Sequence, residues 1–441
     1  MTEPKDNSAG RVSLNRRSFI ASSAAVGAAL AVGGRATYAA AADATLKVGF
    51  ISPRTGAMAG FGDGDGYVLD TARKTLAKGL TIGGKTYAVT IVDQDTQSDP
   101  ARAGQVAKDL INNQGIDMML TTSTPEVVNP VADACEAAGV PCLSTIVPWE
   151  AFYFGRGAKP GQPSPFKWTY HFSFGTDTFA QTYLSMWGKG DVPNNKKIGV
   201  LYPNDADGNA IRAALAPLLE KGGYTIVDPG AYEDGTTDYS AQIALFKKEK
   251  CEIFNSFPIP PDFAAFWRQA AQQGYTKTVK IAQLAKTGLF PSDIEAVGSL
   301  GNNIATAAYW HKTFPYKSAL TGLSGTDLAD GYEAATGKQW QQQLGASMAL
   351  LDGGFEALKA ASNPNDKAAV AKALSTLKTT TMVGKVDFTS GPVPNVSVAP
   401  IIGAQWVNAA PGSKFKLDLV ICDNAPDPNV PIAAKLKPYN S

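Results

Sequence analysis

Short apolar segments alternate with amphipathic helical patterns along most of the chain. The segment LKVGFIS (46–52) has the length and residue types of a buried strand, and YVLDTARKTLAKG (67–79) has apolar residues at helical spacing. The alternation continues through IDMMLTTS (116–123), a helical pattern over 125–138 and PCLST (141–145). Strands that alternate with helices in this way predict βαβ units and a parallel sheet.

A Pro- and Gly-rich segment without periodicity, residues 147–168, interrupts this alternation, and a second run of strands and helices follows it. Two such runs predict an α/β fold of two doubly wound, Rossmann-like lobes that are joined by a hinge and face each other across a cleft. We assign residues 43–165 and about 311–380 to lobe I, residues 166–310 and about 381–425 to lobe II, and residues 426–441 to a C-terminal tail.

Composition and charge limit the classes of function. The 441-residue chain has a formal net charge of +1 and no basic block, which argues against nucleic acid as a partner. With two His and no CxxC pair it has no zinc-binding pattern, and we expect neither a metal nor a cofactor. G-x-S-x-G is absent, and the glycines of GFGDGDG (60–66) have the wrong spacing for a dinucleotide-binding loop. The sequence therefore predicts a protein that is not an enzyme.

The first 42 residues predict a signal peptide. LNRRSFI (14–20) is followed by an apolar stretch of small residues and then by the Ala-rich ATYAAAAD (36–43). The adjacent arginines resemble the twin-arginine export signal, with Asn15 where that pattern usually has Ser or Thr. We expect cleavage near Ala39–Ala42 and a periplasmic location.

Four cysteines remain after cleavage. Cys135 lies late in a predicted helix and Cys142 begins the next strand, with Gly139 between them. In an oxidising compartment a disulfide between these two residues is one alternative, and two buried free thiols are the other.

Hydroxyl residues stand where two neighbouring predicted strands end. Ser123 and Thr124 directly precede Pro125, a typical first helical residue, so one of the two hydroxyls is expected to cap the helix. The same helix N-terminus could also bind a negatively charged group. Ser144 and Thr145 end the next strand and are expected at the same edge of the sheet. Four hydroxyls at this edge are more than capping of one helix requires.

The chain resembles the leucine/isoleucine/valine-binding family of periplasmic solute-binding proteins, which supply ABC importers. The resemblance covers residues 46–425, and the segments that carry it are VGFISPRTGAMAGFGDGDG (48–66), TTSTPEVVNPVADACEAAGVPCLST (121–145), YPNDADGNA (202–210), PPDFAAFWRQAAQQG (260–274) and DGYEAATGKQW (330–340). It implies the type I periplasmic binding fold and a ligand that is bound by closure of the lobes.

The resemblance also implies site residues. Strand-end hydroxyls of this family bind the ligand carboxylate, and Ser123, Thr124 and Thr145 match those positions, while Phe61 matches an aromatic that flanks the ligand. Where the family has an acid for the ligand ammonium, this chain has Ala285 or Lys286.

This departure leaves the kind of ligand open. A lysine that faces the cleft would favour an acid without an amine, a lysine that points to solvent would favour neither kind, and Asp207 could supply the missing negative charge. Trp149 and Trp310 belong to aromatic clusters that suit either an apolar ligand body or hinge packing.

The function expected from the resemblance is that of the solute-binding component of an ABC importer. The ligand would be a small carboxylate, either a branched-chain or other amino acid or an aromatic or organic acid. The partners would be the permease subunits in the inner membrane, and the protein would be a monomer. The alternative is a ligand sensor of the same fold that reports to a signalling partner.

Overall fold

The computed structural model describes residues 42–440, so the predicted signal peptide lies, apart from Ala42, outside the described residues. The strands are β1 (Ala44–Ser52), β2 (Leu80–Ile82), β3 (Lys85–Asp95), β4 (Met118–Thr122), β5 (Cys142–Thr145), β6 (Thr169–Ser173), β7 (Lys197–Leu201), β8 (Thr225–Val227), β9 (Ile253–Ser256), β10 (Ile281–Leu284), β11 (Ala305–Ala308), β12 (Lys378–Thr381), β13 (Gly384–Asp387), β14 (Val396–Val398), β15 (Ile402–Asn408) and β16 (Leu417–Asp423). The α-helices are α1 (Asp65–Leu76), α2 (Pro100–Asp109), α3 (Pro125–Ala138), α4 (Trp149–Tyr153), α5 (Thr176–Gly188), α6 (Ala206–Lys221), α7 (Ser240–Lys248), α8 (Pro260–Gln272), α9 (Pro291–Glu295), α10 (Gly325–Thr336), α11 (Gln342–Ala360) and α12 (Lys367–Ser375).

Local sequence signals fix several of these boundaries. The Asp99 carboxylate accepts a hydrogen bond from the Arg102 amide at 2.6 Å, and Pro100 occupies the first turn of α2. At the other end of a helix, α3 terminates at Gly139, whose φ of 66° is a left-handed conformation that glycine adopts without strain. Helix α3 accordingly begins and ends at its predicted residues, 125 and 138.

Two seven-stranded sheets form the centres of two lobes. The first has the order β14-β6-β5-β4-β1-β3-β2 and the second the order β16-β15-β11-β10-β9-β7-β8. All neighbours are parallel except at β2, β15 and β16. The predicted α/β class with two doubly wound lobes is confirmed.

The strand order reverses once in each sheet, at β1 and at β7. From β1 the chain first adds β3 on one side and then β4 on the other, and from β7 it adds β8 and then β9 in the same manner. The loops that leave the two sides of such a reversal diverge, and they open a crevice at the carboxyl ends of the strands. Each lobe therefore has one preferred place for a ligand.

The crossing between the lobes comes later than the sequence indicated. Residues 166–310 were assigned to lobe II, but β6 pairs with β5 in the first sheet, in a register that aligns Thr169 with Cys142. The aperiodic segment 147–168 connects two strands of one sheet and contains the short helix α4, so its Pro and Gly residues mark a long loop rather than a crossing. Strand β14, assigned to lobe II, likewise pairs with β6.

The C-terminal segment packs on the second lobe. The Trp267 indole N–H donates to the Tyr439 hydroxyl at 2.9 Å, and the Tyr439 amide donates to the Lys280 carbonyl at 2.8 Å. Among the described residues no helix is long and apolar enough to cross a membrane.

A buried chain of polar side chains joins Tyr309, just after β11 of the second sheet, to the first lobe. The Tyr309 hydroxyl donates to Gln343 Oε1 at 2.8 Å, and Gln343 Nε2 lies 3.4 Å from Ser347 Oγ on the same helix, α11. Ser347 Oγ donates in turn to Asp65 Oδ1 at 2.6 Å. This chain connects the cleft side of the second lobe to the first turn of α1.

The carboxyl group at the end of this chain is completely buried. Asp65 has no exposed surface, and its Oδ2 has no hydrogen-bond partner among the described residues. Burial raises the pKa of Asp65 from 3.8 to about 7; the hydrogen bond from Ser347 and the charge of Arg54 oppose the increase, while Asp93 adds to it. Because the folded protein retains a proton that the unfolded chain releases, this group makes the fold less stable as the pH rises from about 4 to 7.

Asp65→Asn is expected to raise the free energy of unfolding at pH 8 by about 1–4 kcal/mol, and to change it little at pH 4–5. The amide keeps an acceptor for Ser347 and carries no charge to bury. Chemical denaturation of both proteins between pH 4 and pH 8 measures the difference. Asp70→Asn, on the exposed face of the same helix, is the control and should give a curve parallel to that of the wild type. If Asp65→Asn also gives a parallel curve, the buried carboxyl is ionised in the fold and the assignment is wrong.

Candidate ligand-binding site

A small cavity lies between the carboxyl ends of the two sheets. Both strand-order reversals contribute to it, through residues after β1 and β4 and residues after β7 and β9. Its wall consists of Phe61, Ser123, Thr124, Ile146, Pro148 and Phe174, which follow strands of the first sheet, and of Phe179, Asp207, Phe257, Ala285, Lys286, Leu289, Ala307, Tyr309 and Ile401. Most of its wall is apolar or aromatic, with a few polar groups, as is typical of small-molecule sites.

Three of the wall residues have a strained backbone. Ser123, Ile146 and Lys286 have φ values of 131°, 79° and 44°, and each of them follows within two residues of the end of a strand. Such a conformation costs on the order of 1–3 kcal/mol in a residue other than glycine, and it clusters at functional sites. At these three residues the backbone leaves the extended conformation of the strand, and their side chains line the cavity.

The hydroxyls of Ser123 and Thr124 do not cap α3, so the expectation of a side-chain cap is wrong. Thr124 Oγ1 contacts Met58 Sδ at 2.9 Å, and the Ser123 hydroxyl is buried with no hydrogen-bond partner among the described residues. Both side chains belong to the cavity wall. Ser123 therefore presents an unused hydroxyl beside the N-terminus of a helix.

Ser144 and Thr145 do not reach the cavity. Ser144 Oγ lies 2.8 Å from Nδ1 of His171, and Thr145 Oγ1 donates to the Phe172 carbonyl at 2.6 Å, so both hydroxyls bond to the neighbouring strand β6. The structure thus brings together the first two predicted hydroxyls and not the second two.

The two predicted tryptophans also lie outside the cavity wall. Trp149 packs against Phe154 with ring centroids 5.7 Å apart. Trp310 is completely buried, lies 5.6 Å from the ring of Trp340, and covers Gly345 so closely that a Cβ there would be 2.0 Å from its indole. Both side chains have packing roles in the structure.

Lys286 is buried at the cavity wall and does not point to solvent. Its Nζ lies 2.6 Å from Asp205 Oδ2 and 3.1 Å from Asp207 Oδ2. The two carboxylates belong to the beginning of α6, where Asp205 is the N-cap residue and accepts a hydrogen bond from the Gly208 amide at 2.6 Å. Asp207 Oδ1 is buried without a partner among the described residues, so Asp207, like Ser123, presents an unused polar atom.

Carboxylates outnumber cations in this cluster, and the pKa values follow from that. Burial raises the pKa of Asp207 to about 7; the charge of Lys286 opposes the increase, and the carboxylate of Asp205 adds to it. For Lys286, burial acts to lower the pKa, but the carboxylates of Asp207 and Asp205 outweigh it and hold the pKa above its ordinary value. Glu126, in the first turn of α3, contributes to both increases from the other lobe.

An aromatic contact joins the two lobes at one side of the cavity. Phe61 of the first lobe meets Phe290 of the second edge to face, with ring centroids 5.0 Å apart, and both rings are buried. A wider cleft lies beyond this contact, lined by Gly60, Phe290 and Asp293 among others. The Phe61–Phe290 contact thus lies between the cavity and the wider cleft.

Sequence reasoning missed most of the apolar wall. Phe174 and Phe257 directly follow β6 and β9, so the rule that placed Ser123 at a strand end could also have found them. Tyr309 directly follows β11 and obeys the same rule, whereas Phe179 has no comparable signal because it lies on helix α5.

Within residues 42–440, the other sequence patterns that could indicate a metal, redox or phosphate site form none. No cluster of three or more metal-ligating side chains is found there. Cys135 and Cys142 are buried free thiols in mutual contact, and the pKa of Cys135 is raised by burial and by the Cys142 thiol. GLTIGGKT (79–86) has the letters of a phosphate-binding P-loop, but it forms the hairpin of β2 and β3 and no helix follows it.

Known proteins share this architecture. A sequence profile of the family described as Periplasmic binding protein matches residues 45–410. The Leu/Ile/Val-binding protein homolog 8 of Brucella abortus (strain 2308) is 24% identical over 323 residues, which are 71% of this chain and 76% of the relative.

Two solved structures are similar over most of their length. LivJ, a branched-chain amino acid transporter substrate-binding protein from Streptococcus pneumoniae in complex with isoleucine, has a TM-score of 0.65 and 17% identity, covering 86% of this chain and 99% of that one. An ABC transporter solute-binding protein from R. palustris in complex with 4-hydroxybenzoate has a TM-score of 0.68 and 16% identity, covering 85% and 95%. The family profile spans most of the chain, and the two lobes with a cavity between them agree with it. This protein therefore belongs to the periplasmic binding protein family.

Proposed function

We propose that this protein is the extracytoplasmic solute-binding component of an ABC importer, and that it captures a small carboxylate-bearing ligand between its lobes. The observation that carries the proposal is the apolar cavity into which each lobe presents one buried, unpartnered polar atom, Ser123 Oγ and Asp207 Oδ1. A buried polar atom without a partner costs about 1–3 kcal/mol, which a ligand that bonds to it would recover.

The ligand carboxylate is assigned to the Ser123 side of the cavity. The hydroxyl there can donate a hydrogen bond, and α3 begins two residues later, so the positive end of the helix dipole favours a negative charge at this place. The second lobe, where Asp205 and Asp207 lie beside a single lysine, is the less favourable side for an anion.

The body of the ligand is apolar or aromatic. Phe61, Phe174, Phe179 and Phe257 supply ring faces and edges around the cavity. An amino acid with an apolar side chain and an aromatic acid both fit this wall. Of the two structural neighbours with the same fold, one is in complex with isoleucine and the other with 4-hydroxybenzoate.

Binding is coupled to lobe closure. A ligand that bonds to both lobes shifts the population toward the conformation in which they meet, and the Phe61–Phe290 contact stabilises that conformation further. The closed, monomeric protein would then deliver its ligand to the permease subunits in the membrane. No catalytic step and no nucleic acid enters this function.

Residues 43–441 are expected to bind at least one of isoleucine, leucine, phenylalanine and 4-hydroxybenzoate. A ligand present at a hundred times its Kd stabilises the folded state by about 2.7 kcal/mol, so the unfolding temperature should rise measurably. A thermal-shift screen followed by calorimetric titration gives the affinity. Cells that lack the gene should then lose uptake of the bound compound. Binding without any effect on uptake would contradict the transport function and favour a sensor.

Ser123→Ala is expected to weaken binding of the compound found in that screen about tenfold, or ~1.4 kcal/mol, because it removes a hydrogen bond to the carboxylate. Ser144→Ala is the matched control: it removes a hydroxyl at the end of the neighbouring strand that bonds to His171 instead. It should lower the unfolding temperature and leave the affinity unchanged. Equal loss of affinity in both variants would show that the four strand-end hydroxyls act together and that the assignment to Ser123 is wrong.

A further inference from the structure

The charge of Lys286 is already satisfied within its own lobe. Its ammonium group contacts one oxygen of each of two aspartates, at 2.6 and 3.1 Å, and all three side chains are almost completely buried. A buried lysine with two carboxylate partners offers little net positive charge to a ligand. The premise that Lys286 selects an acid without an amine therefore fails.

The two aspartates differ in what they present to the cavity. Asp205 contacts Lys286 and caps α6 through the Gly208 amide, and it is not part of the cavity wall. Asp207 belongs to the wall, is 4% exposed, and has one oxygen on Lys286 and the other without a partner among the described residues. Lys286 thus holds the Asp207 carboxylate in place and leaves one acceptor for the ligand.

The surrounding charges favour a ligand donor over a second anion. Next to one lysine lie two aspartates, and Glu126 and Asp234 add negative charge from α3 and from the loop after β8. An amine-free acid without a hydroxyl could not bond to Asp207 Oδ1 and would add a further negative charge to this group.

We propose that Asp207 determines the specificity of the site: its Oδ1, positioned by Lys286, accepts a hydrogen bond from an ammonium or phenolic hydroxyl group of a ligand whose carboxylate lies at Ser123. The proposal rests on the proposed function and makes it more specific, because it requires an N–H or O–H donor in addition to the carboxylate. An α-amino acid supplies the donor as an ammonium group and a hydroxybenzoate supplies it as a hydroxyl, and the experiment separates these two sources.

The test compares two pairs of probes that differ in the donor. Leucine is paired with 4-methylpentanoate, which has the same carbon skeleton without the amine, and 4-hydroxybenzoate is paired with benzoate. Calorimetric titration of wild-type residues 43–441 should show that, in at least one pair, the member with the donor binds ten times more tightly or better. The leucine pair identifies an ammonium donor, and the benzoate pair identifies a phenolic one.

Asp207→Asn should reduce the ratio of affinities between the two members of that pair about tenfold, mainly by weakening the binding of the member with the donor. Asp228→Asn is the control, because it removes a carboxylate of the same lobe that pairs with Arg212 and is part of neither the Lys286 cluster nor the cavity wall. It should change both members of a pair alike and keep their ratio within about threefold.

The wild type provides a second measurement that does not depend on the folding of a variant. Because the pKa of Asp207 is raised to about 7, lowering the pH from 8 to 6 neutralises part of this carboxylate. The preference for leucine over 4-methylpentanoate should then fall several-fold. A ratio that is independent of pH in this range would count against Asp207 as the acceptor for an ammonium group.

The possible failures are distinguishable. If members with and without the donor bind equally, or if Asp207→Asn weakens both equally, Asp207 only anchors Lys286; the inference is then overturned while the proposed function stands. If the wild-type protein binds none of these four probes and neither isoleucine nor phenylalanine, the proposed ligand class and this inference fall together.

Discussion

The burial of Lys286 between Asp205 and Asp207 is the constraint on which the site depends. Removing such ions from water costs several kcal/mol for each ion, and only close pairing with further hydrogen bonds offsets this cost. The start of α6 supplies both conditions, since Asp205 and Asp207 stand two residues apart at a helix N-terminus that favours carboxylates. The pairing neutralises the charge of the lysine and satisfies one of the aspartates only in part. The polar atom that remains, Asp207 Oδ1, is therefore a consequence of how the charges are buried.

The topology explains why this cluster faces Ser123 of the other lobe. Each sheet reverses its strand order once, and the loops at each reversal open at the carboxyl ends of the strands. Two such ends facing each other give a cavity whose polar groups come from both lobes. The backbone strain at Ser123, Ile146 and Lys286 is located at these strand ends, where the chain turns its side chains toward the cavity. Strain there is sustained by the packing of both sheets behind it.

Hydrophobic periodicity and capping signals were sufficient to predict the fold class and most of the elements, because both are local properties of the chain. The helix 125–138 is an example, because Pro125 marks its first residue and Gly139 marks its end in the sequence. Pairing between distant segments is not local, and for this reason β6 was placed in the wrong lobe. The residues of the site show the same difference between local and distant determinants. Ser123 and Asp207 follow strands and could be predicted, whereas the role of Asp205 depends on where a lysine 81 residues away comes to lie.

A crystal structure of the protein with its bound ligand would show whether Asp207 or Lys286 selects the ligand. We expect one ligand molecule enclosed between the lobes, with a carboxylate oxygen about 3 Å from Ser123 Oγ and a donor atom about 3 Å from Asp207 Oδ1, while Lys286 keeps both of its aspartate partners. A ligand bound in the outer cleft beyond Phe290 would contradict this expectation. So would a ligand whose carboxylate displaces Asp207 and pairs with Lys286, because the lysine and not the aspartate would then select the ligand.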